Sequence, residues 1–595
     1  MPGGGRHRRR IRIALPVAAA GVAAAVAAAL LTTSADAATP LPQPTVKPAI
    51  GSPSSAELEK RVAGALAGDD TAGRTSKASL SASTNEGRID PKVIGGSQTT
   101  ITSAPWMAQL HYFDDRGTSS TSDDIGFFCG GAVVAPTKIL TAAHCVKGYD
   151  WNANGAVVTG TAQLPSADGT DLHGGEAKGV LRQWNHPSYN ATTIDNDIAV
   201  LTLPERVKAT PIRMTTSGDT ASYKAGTSAK VYGWGRTSST SDAISERLKT
   251  ATLPVQSDTT CAGAYGRDFV KGHMVCAGKP ATGSDSGTTS ACNGDSGGPL
   301  VVNNRIVGVV SWGVTDCVAK GAYSVFSKVS TYVGAAYPRV DDTNISGDHK
   351  ADLWVRNAST KTGYSKDSKG TSFAARQSWG NWDGFNVVLQ TDFDRDGFQD
   401  LVYRRSSDGD VFWTHFVLAD NAWSTKKIAD NWKTRTRVIT PGDVTGDYLP
   451  DLLSVDSAGV LWIYPGKGNG TFAARVKAGS GWNQYNSVRG KGDFTGDGKT
   501  DLIARSKSGS HIYLYKGTGK SGSGAFSARV KVRSWGGYNA FDATGDITGD
   551  GKADFLARTP GGTLYLYPGT GKATSEIFAT RKSVGTDFKQ YDIFG

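Results

Sequence analysis

No cysteine lies outside residues 129–317 of this 595-residue chain, and no two cysteines have the CxxC spacing of structural zinc sites. Zinc is therefore a poor reading of them. After residue 31 no run approaches the ~20 consecutive apolar residues of a transmembrane helix, so stable membrane insertion is not expected. No basic run is interleaved with aromatics, so no nucleic-acid partner is expected. The net charge of +11 falls partly at the start, since residues 1–92 carry +5 and residues 93–595 only +6. That balance is a weak case for a polyanionic partner.

The first residues carry an address. "RHRRRIR" is a basic stretch, "IALPVAAAGVAAAVAAALL" is apolar and Ala-rich, and "ADA" at 35–37 fits a small-residue cleavage site before Ala38. This pattern predicts a signal peptide over 1–37 and a secreted, extracellular protein; the rival is an uncleaved signal anchor. Six cysteines (Cys129, Cys145, Cys261, Cys276, Cys292 and Cys317) are an even count, which in a secreted chain reads as disulfides. Spacing alone chooses no pairing.

Composition divides the rest. Residues 38–92 are rich in Ser, Thr, Ala, Pro and Gly and poor in large apolar groups, which predicts a mostly flexible pro-segment ending in "RIDPKVIGG". Residues 93–337 alternate short β-rich runs ("KILTAAHCV", "DIAVLTL", "AKVYGWG", "RIVGVVSWG") with Gly, Ser, Asn and Asp clusters, and a short helix is expected at "VSTYVGAAY". Residues 338–595 repeat. "NISGDHKADLWV", "DFDRDGFQDLVY", "DVTGDYLPDLLS", "DFTGDGKTDLIA" and "DITGDGKADFLA" begin at 344, 392, 443, 493 and 546, and each precedes an apolar strand. A period near 50 with several strands per unit predicts a β-propeller, here of five blades, with the terminal "YDIFG" closing the ring against the first. The expected fold class is all-β throughout.

Three strings carry chemistry. "ACNGDSGGPL" places Ser296 between an Asp and two glycines. A serine hydroxyl is a weak nucleophile unless a base takes its proton, and that base must be held in one tautomer by a third group. "LTAAHCV" offers His144 and "DNDIAVLTL" offers Asp197. His111, His173, His186 and His273 lack such company and read as structural or surface residues.

With these strings, residues 93–337 resemble the chymotrypsin/trypsin family of serine endopeptidases, on "TAAHC", "DIAVL" and "GDSGGP". The resemblance implies two six-stranded β-barrels with the catalytic triad in the cleft between them, and a protein or peptide substrate. It implies that Ser296 is the nucleophile, His144 the base and Asp197 its orienter, with no cofactor for catalysis. The backbone N–H groups of Gly294 and Ser296 would form the oxyanion hole. It also implies the pairs Cys129–Cys145, Cys261–Cys276 and Cys292–Cys317. "VIGG" resembles the family's new N-terminus, so cleavage after Lys92 would free the amine of Val93 to pair with Asp295, a zymogen switch.

The same alignment puts Ser290 at the base of the specificity pocket, where trypsin-type members have Asp. Gly313 and Ser324 form its walls. Ser290 with Gly313 implies large apolar or aromatic residues before the cleaved bond; Asp285 would reach the pocket only through a loop rearrangement. Arg/Lys specificity is the alternative, and an inert protease domain in an adhesion protein is a second. An apolar preference makes a separate activating protease the expectation at Lys92. Substrate backbone would add as a strand along Ser311, Trp312 and Gly313.

The repeat loops resemble FG-GAP/VCBS calcium loops. Calcium ligands would be Asp392, Asp394, Asp396 and Asp400 in the second loop; Asp443, Asp447 and Asp451 in the third; Asp493, Asp497 and Asp501 in the fourth; and Asp546, Asp550 and Asp554 in the fifth. The first loop departs through Asn344, Ser346 and His349, and the third has Tyr448 where Gly is usual. No nucleophile–base pair stands out after residue 338, so the propeller reads as a binding module for an extracellular protein or glycan.

Overall fold

The computed structural model describes residues 40–48, 53–68, 93–314, 316–341 and 343–595. The signal-peptide region and Lys92 lie outside the described residues. Four α-helices are described: α1 (Ser55–Ala67), α2 (Trp151–Asn154), α3 (Asp258–Tyr265) and α4 (Val329–Val340). The last is the helix expected at "VSTYVGAAY".

Residues 93–328 build two antiparallel sheets, the two halves of a double β-barrel. The first has seven strands in the order Glu176–Gly179, Gly155–Thr159, Met107–Asp114, Ile125–Ala135, Lys138–Thr141, Ala199–Thr202 and Arg182–Asn185. The second has eight, among them the two-residue strands Ser97–Gln98 and Arg213–Met214; Arg213–Met214 runs parallel to Arg305–Trp312. Without those two short strands the second sheet has the six that the resemblance implied, whereas the first has seven strands of four or more residues, one above that expectation. Lys138–Thr141 is buried at every position, as a strand covered on both faces must be. Gly130 N donates to Ser296 O at 2.7 Å, joining the first sheet to the loop that carries the serine.

After α4 come five four-stranded sheets, and the last strand of the chain completes the first of them. Tyr591–Phe594 pairs antiparallel with Leu353–Asn357, so the ring closes on itself and hides two strand edges at once. Strand burial alternates as a pleat demands: in His511–Tyr515 only Ile512 and Leu514 are buried.

The segment 38–92 is not uniformly without structure, which corrects the compositional expectation. Within it, Ser55–Ala67 is a helix whose N-cap Ser54 accepts a hydrogen bond from Glu57 N. "SAELEKRVAGALA" is made of helix formers, and Leu58, Val62 and Leu66 recur at intervals of four, so one face is apolar. That face lies on the first sheet, with Val62 and Ala65 fully buried.

The repeat loops turn towards the protease domain. Arg206 Nη1 donates to Gly468 O at 2.6 Å, and Arg213 donates to Gly446 O. A Cβ on Gly551 would lie 2.8 Å from Ala335 of α4. Asp341, just past α4, is buried with Arg395 at 3.0 Å and Lys491 at 2.7 Å. The end of α4 is thus pinned by side chains from the second and fourth repeats.

Candidate active site

His144 and Asp197 reach each other because their strands are neighbours. Lys138–Thr141 pairs with Ala199–Thr202 in the register Thr141 opposite Ala199. The chain leaving the first enters a short 3-10 turn, Ala143–Cys145, and the chain entering the second carries Asp197. The Cys129–Cys145 disulfide ties that turn to the strand Ile125–Ala135.

Asp197 is fully buried and well supplied with donors. Its Oδ1 accepts from His144 N at 2.8 Å; its Oδ2 accepts from Ser311 Oγ at 2.6 Å and lies 2.8 Å from His144 Nδ1. Ser327 Oγ donates to Asp197 O at 2.6 Å. An ionised carboxylate only accepts, so Nδ1 must carry the proton. Nε2 is then the acceptor, and it is buried with no hydrogen-bond partner. Ser327 was not singled out in the sequence; nothing local to "SVFSKV" distinguishes it. Ser311 was named only for substrate contact.

Ser296 follows a tight turn in which Asp295 N donates to Cys292 O at 2.9 Å. Gly294 adopts φ +89°, and a Cβ there would lie 2.8 Å from Ile244 Cγ2 and 2.9 Å from Gly235 Cα. Only glycine suits both the conformation and the space. Asp295 is fully buried; its carboxylate accepts from Gly235 N at 2.8 Å and Cys292 N at 2.9 Å. Burial without a cation pushes its pKa up to about 7. Val93 is buried in the core of the second sheet, and Ser290 N donates to Ile94 O at 3.0 Å. Cys292–Cys317 and Cys261–Cys276 complete the disulfides.

Around Ser290 the polar groups are turned inward. Ser290 Oγ donates to Cys317 O at 2.9 Å, and Ser324 Oγ accepts from Ala291 N at 2.9 Å. Asp285 is held elsewhere, by Ser238 Oγ at 2.8 Å and Ser239 N at 3.0 Å. A Cβ on Gly313 would meet nothing within 4 Å.

The family profile Trypsin matches residues 93–335, the stretch that forms this double barrel. A trypsin from Saccharopolyspora erythraea is 38% identical over 240 residues, covering 40% of this chain and 94% of the relative. The chain belongs to the trypsin family. Human kallikrein-14 is 36% identical over 245 residues (40% of this chain, 81% of the relative), and chicken trypsin I-P1 33% over 246 (41% and 87%). This trypsin-family member is a serine endopeptidase, and its substrate is a protein or peptide. Its C-terminal part contains FG-GAP-like repeats, matched over residues 493–557.

Beside the trypsin-like domain, the repeat loops concentrate buried carboxylates. In the second loop Asp392, Asp394 and Asp396 each present an oxygen within 4.8 Å of the others. Asp394 Oδ1 and Asp400 Oδ1 are buried without a hydrogen-bond partner. Burial, followed by neighbouring carboxylates, pushes Asp392 up to about 6 and raises Asp396 and Asp400 well above the usual range. Hard oxygen ligands left short of donors fit a calcium ion. The third and fourth loops satisfy their carboxylates more fully with backbone: Val444 N and Thr445 N bond Asp451, and Thr495 N bonds Asp493 and Asp501. Burial still pushes Asp443 to about 6, Asp451 to about 8 and Asp493 to about 7. In the fifth loop the Arg339 guanidinium pairs with Asp546, so a side-chain cation already stands at that loop. Asp497, Asp550 and Asp554 lie with their loops as the repeats place them, Asp554 bonding Thr548 N and Gly569 N. In the first loop Asn344 accepts from Gly347 N and Asp348 N in place of a carboxylate.

Proposed function

We propose that the protein is a secreted serine endopeptidase, made as a zymogen activated after Lys92, that cleaves after large apolar or aromatic residues. The observation that carries the catalytic part is the fixed His144–Asp197 pair, whose buried Nε2 is left as a free acceptor. Ser296 Oγ bonds to the scissile carbonyl carbon while His144 Nε2 takes its proton. Asp197 stabilises the resulting imidazolium and holds the ring in place. The negative charge on the carbonyl oxygen is met by the N–H groups of Gly294 and Ser296, each such donor lowering the barrier by about 3–4 kcal/mol. The C–N bond then breaks as His144 returns the proton to the leaving amine, and water hydrolyses the acyl-enzyme by the same steps. His144 Nε2 accepts no hydrogen bond from Ser296 in this structure, and a nucleophile–base bond of this kind tightens when substrate is bound.

The specificity reading rests on the neutral base of the pocket. Ser290 and Ser324 bond to protein backbone, and Asp285 is committed to the 238–239 turn. A buried Arg or Lys would have no counter-charge there. Activation rests on Asp295, a buried carboxylate with two N–H donors and a raised pKa, the environment that a free Val93 amine relieves by charge pairing. Calcium would be held by Asp392, Asp394, Asp396 and Asp400, and by the carboxylates of the third and fourth loops, where it supplies the positive charge that these clusters lack. With its loops turned to the protease domain, the propeller offers its other face to an extracellular protein or glycan.

The test is cleavage of a peptide library by the enzyme started at Val93, beside a Ser296→Ala control. Cleavage after Phe, Tyr or Leu, absent in the control, is the expected result. Cleavage after Arg or Lys keeps the triad and overturns the specificity; no cleavage by the Val93-started enzyme overturns the catalytic assignment.

A further inference from the structure

The segment ahead of the protease domain touches both halves of the molecule. Residues 42–48, "PQPTVKP", lie on the propeller. Trp423 Nε1 donates to Val46 O at 2.6 Å, Thr45 Oγ1 to Ser378 O at 2.8 Å and Lys47 Nζ to Asn421 O at 2.7 Å. Pro42 and Pro44 are buried, and the rings of Trp379 and Trp423 stand 5.5 Å apart beside this stretch. This is the chemistry by which proline-rich segments dock on tryptophan-lined surfaces, where a preformed extended backbone loses little entropy.

The helix α1 lies on the first sheet of the protease domain. Val62 packs with Ala156 and Val158, flanked by Leu58, Leu66 and Leu172. Arg61 is buried and donates to Gly155 O at 3.0 Å and to Glu57 at 2.9 Å. A Cβ on Gly64 would overlap the Phe113 ring, and one on Gly68 would lie 2.7 Å from Gly126 Cα, so two small residues four apart let helix and sheet approach closely. Among the described residues none of these contacts involves His144, Asp197 or Ser296. The helix is therefore a strap and not a plug of the active site.

All six cysteines pair with one another within residues 129–317, so no disulfide holds this segment to the rest. We propose that residues 42–68 stay bound after the chain is cut ahead of Val93, so that the activated enzyme is a two-chain particle in which the released piece bridges protease domain and propeller without a covalent link. The place of the natural cut rests on the activation reading above; the retention rests on the contacts alone.

The two are separated by placing the recognition site of a sequence-specific protease between Lys77 and Ser83 of the full chain, which leaves the Lys92–Val93 bond intact. After cutting, size-exclusion chromatography with mass spectrometry reads whether the pieces travel together. Equimolar co-elution, surviving dilution and high salt, is expected; an N-terminal piece eluting alone overturns the proposal. A labelled synthetic peptide of residues 42–68 is then exchanged into the cut protein, beside its Val62→Asp version, which avoids any folding defect in the full chain. The wild-type peptide is expected to exchange in and the variant to bind at least about tenfold more weakly, because it buries an unpaired carboxylate. Equal binding by both, or none by either, overturns it. Loss of activity in Lys92→Gln tests activation and leaves this result untouched.

Discussion

Replacing Asp341 by Asn tests how α4 is held to the propeller. Asp341 Oδ1 lies 3.0 Å from Arg395 Nη1 and 2.7 Å from Lys491 Nζ, with Asp341, Arg395 and Lys491 all essentially removed from solvent. Its other oxygen accepts from Asp443 N at 3.3 Å. Arg395 Nη1 also donates to Val340 O at 3.0 Å, so one guanidinium spans the last helical residue and the carboxylate after it. The opposing cations hold the Asp341 carboxyl far below the usual carboxylate range despite burial. Asn keeps the shape and removes the charge, so that Lys491 and Arg395 lose the carboxylate that both contact and Arg395 keeps only the influence of Asp392. Its amide hydrogens also face the Asp443 N–H, a donor against a donor. Breaking a buried pair in this way costs about 3–5 kcal/mol. At roughly 2–4 °C per kcal/mol for a domain of this size, the propeller transition in a calorimetric scan is expected to fall by about 10 °C. Asp348→Asn, which removes a partly exposed partner of Lys350, is the control and is expected to change stability by no more than about 0.5 kcal/mol. A shift in Asp341→Asn as small as in the control would refute the reasoning.

Three further outcomes are expected. Asp197→Asn, by presenting the wrong group to His144 Nδ1, lowers kcat by about four orders of magnitude while circular dichroism is unchanged; a loss under tenfold would contradict the assigned tautomer. Chelation with EGTA at neutral pH lowers the melting temperature of the propeller, and the metal-free protein regains stability on acidification. The sign follows from folded carboxylates whose pKa is raised above about 4: their cost grows as pH rises through about 6–8, the values for Asp392, Asp493 and Asp451, and vanishes below about 4. An unchanged melting temperature removes calcium from the account. Lys92→Gln leaves the chain inactive, and its stability falls more steeply between pH 4 and about 7 than that of the cut enzyme, because unfolded Asp295 ionises from about pH 4 while folded Asp295, with no Val93 amine beside it, keeps its proton up to about 7; full activity in the uncut variant would end the zymogen reading.

Much of this was readable in short strings. "TAAHC", "DIAVL" and "GDSGGP" lie on loops whose chemistry is local, and the repeat loops recur with their strands, so family and architecture followed from them. The closing strand Tyr591–Phe594 was visible as a copy of strands earlier in the chain. The helix α1 was missed because its surroundings are small and polar, although Ser54 and Glu57 stand at N-cap spacing ahead of an apolar stripe. The latch of Asp341 with Arg395 and Lys491 had no signal at all: its members lie 54 and 150 residues apart and meet only once two domains have packed. Ser327 was hidden for the same reason, since it bonds Asp197 from 130 residues away.

The central claim is that Ser296 is an activated nucleophile, and a fluorophosphonate probe reads this directly. The enzyme started at Val93 is treated with the probe, digested and mapped by mass spectrometry, with Ser296→Ala and His144→Ala alongside. A single adduct on Ser296, lost in both variants, is the predicted result. An unlabelled Ser296 in the correctly started enzyme, or labelling that persists when His144 is removed, would contradict the account.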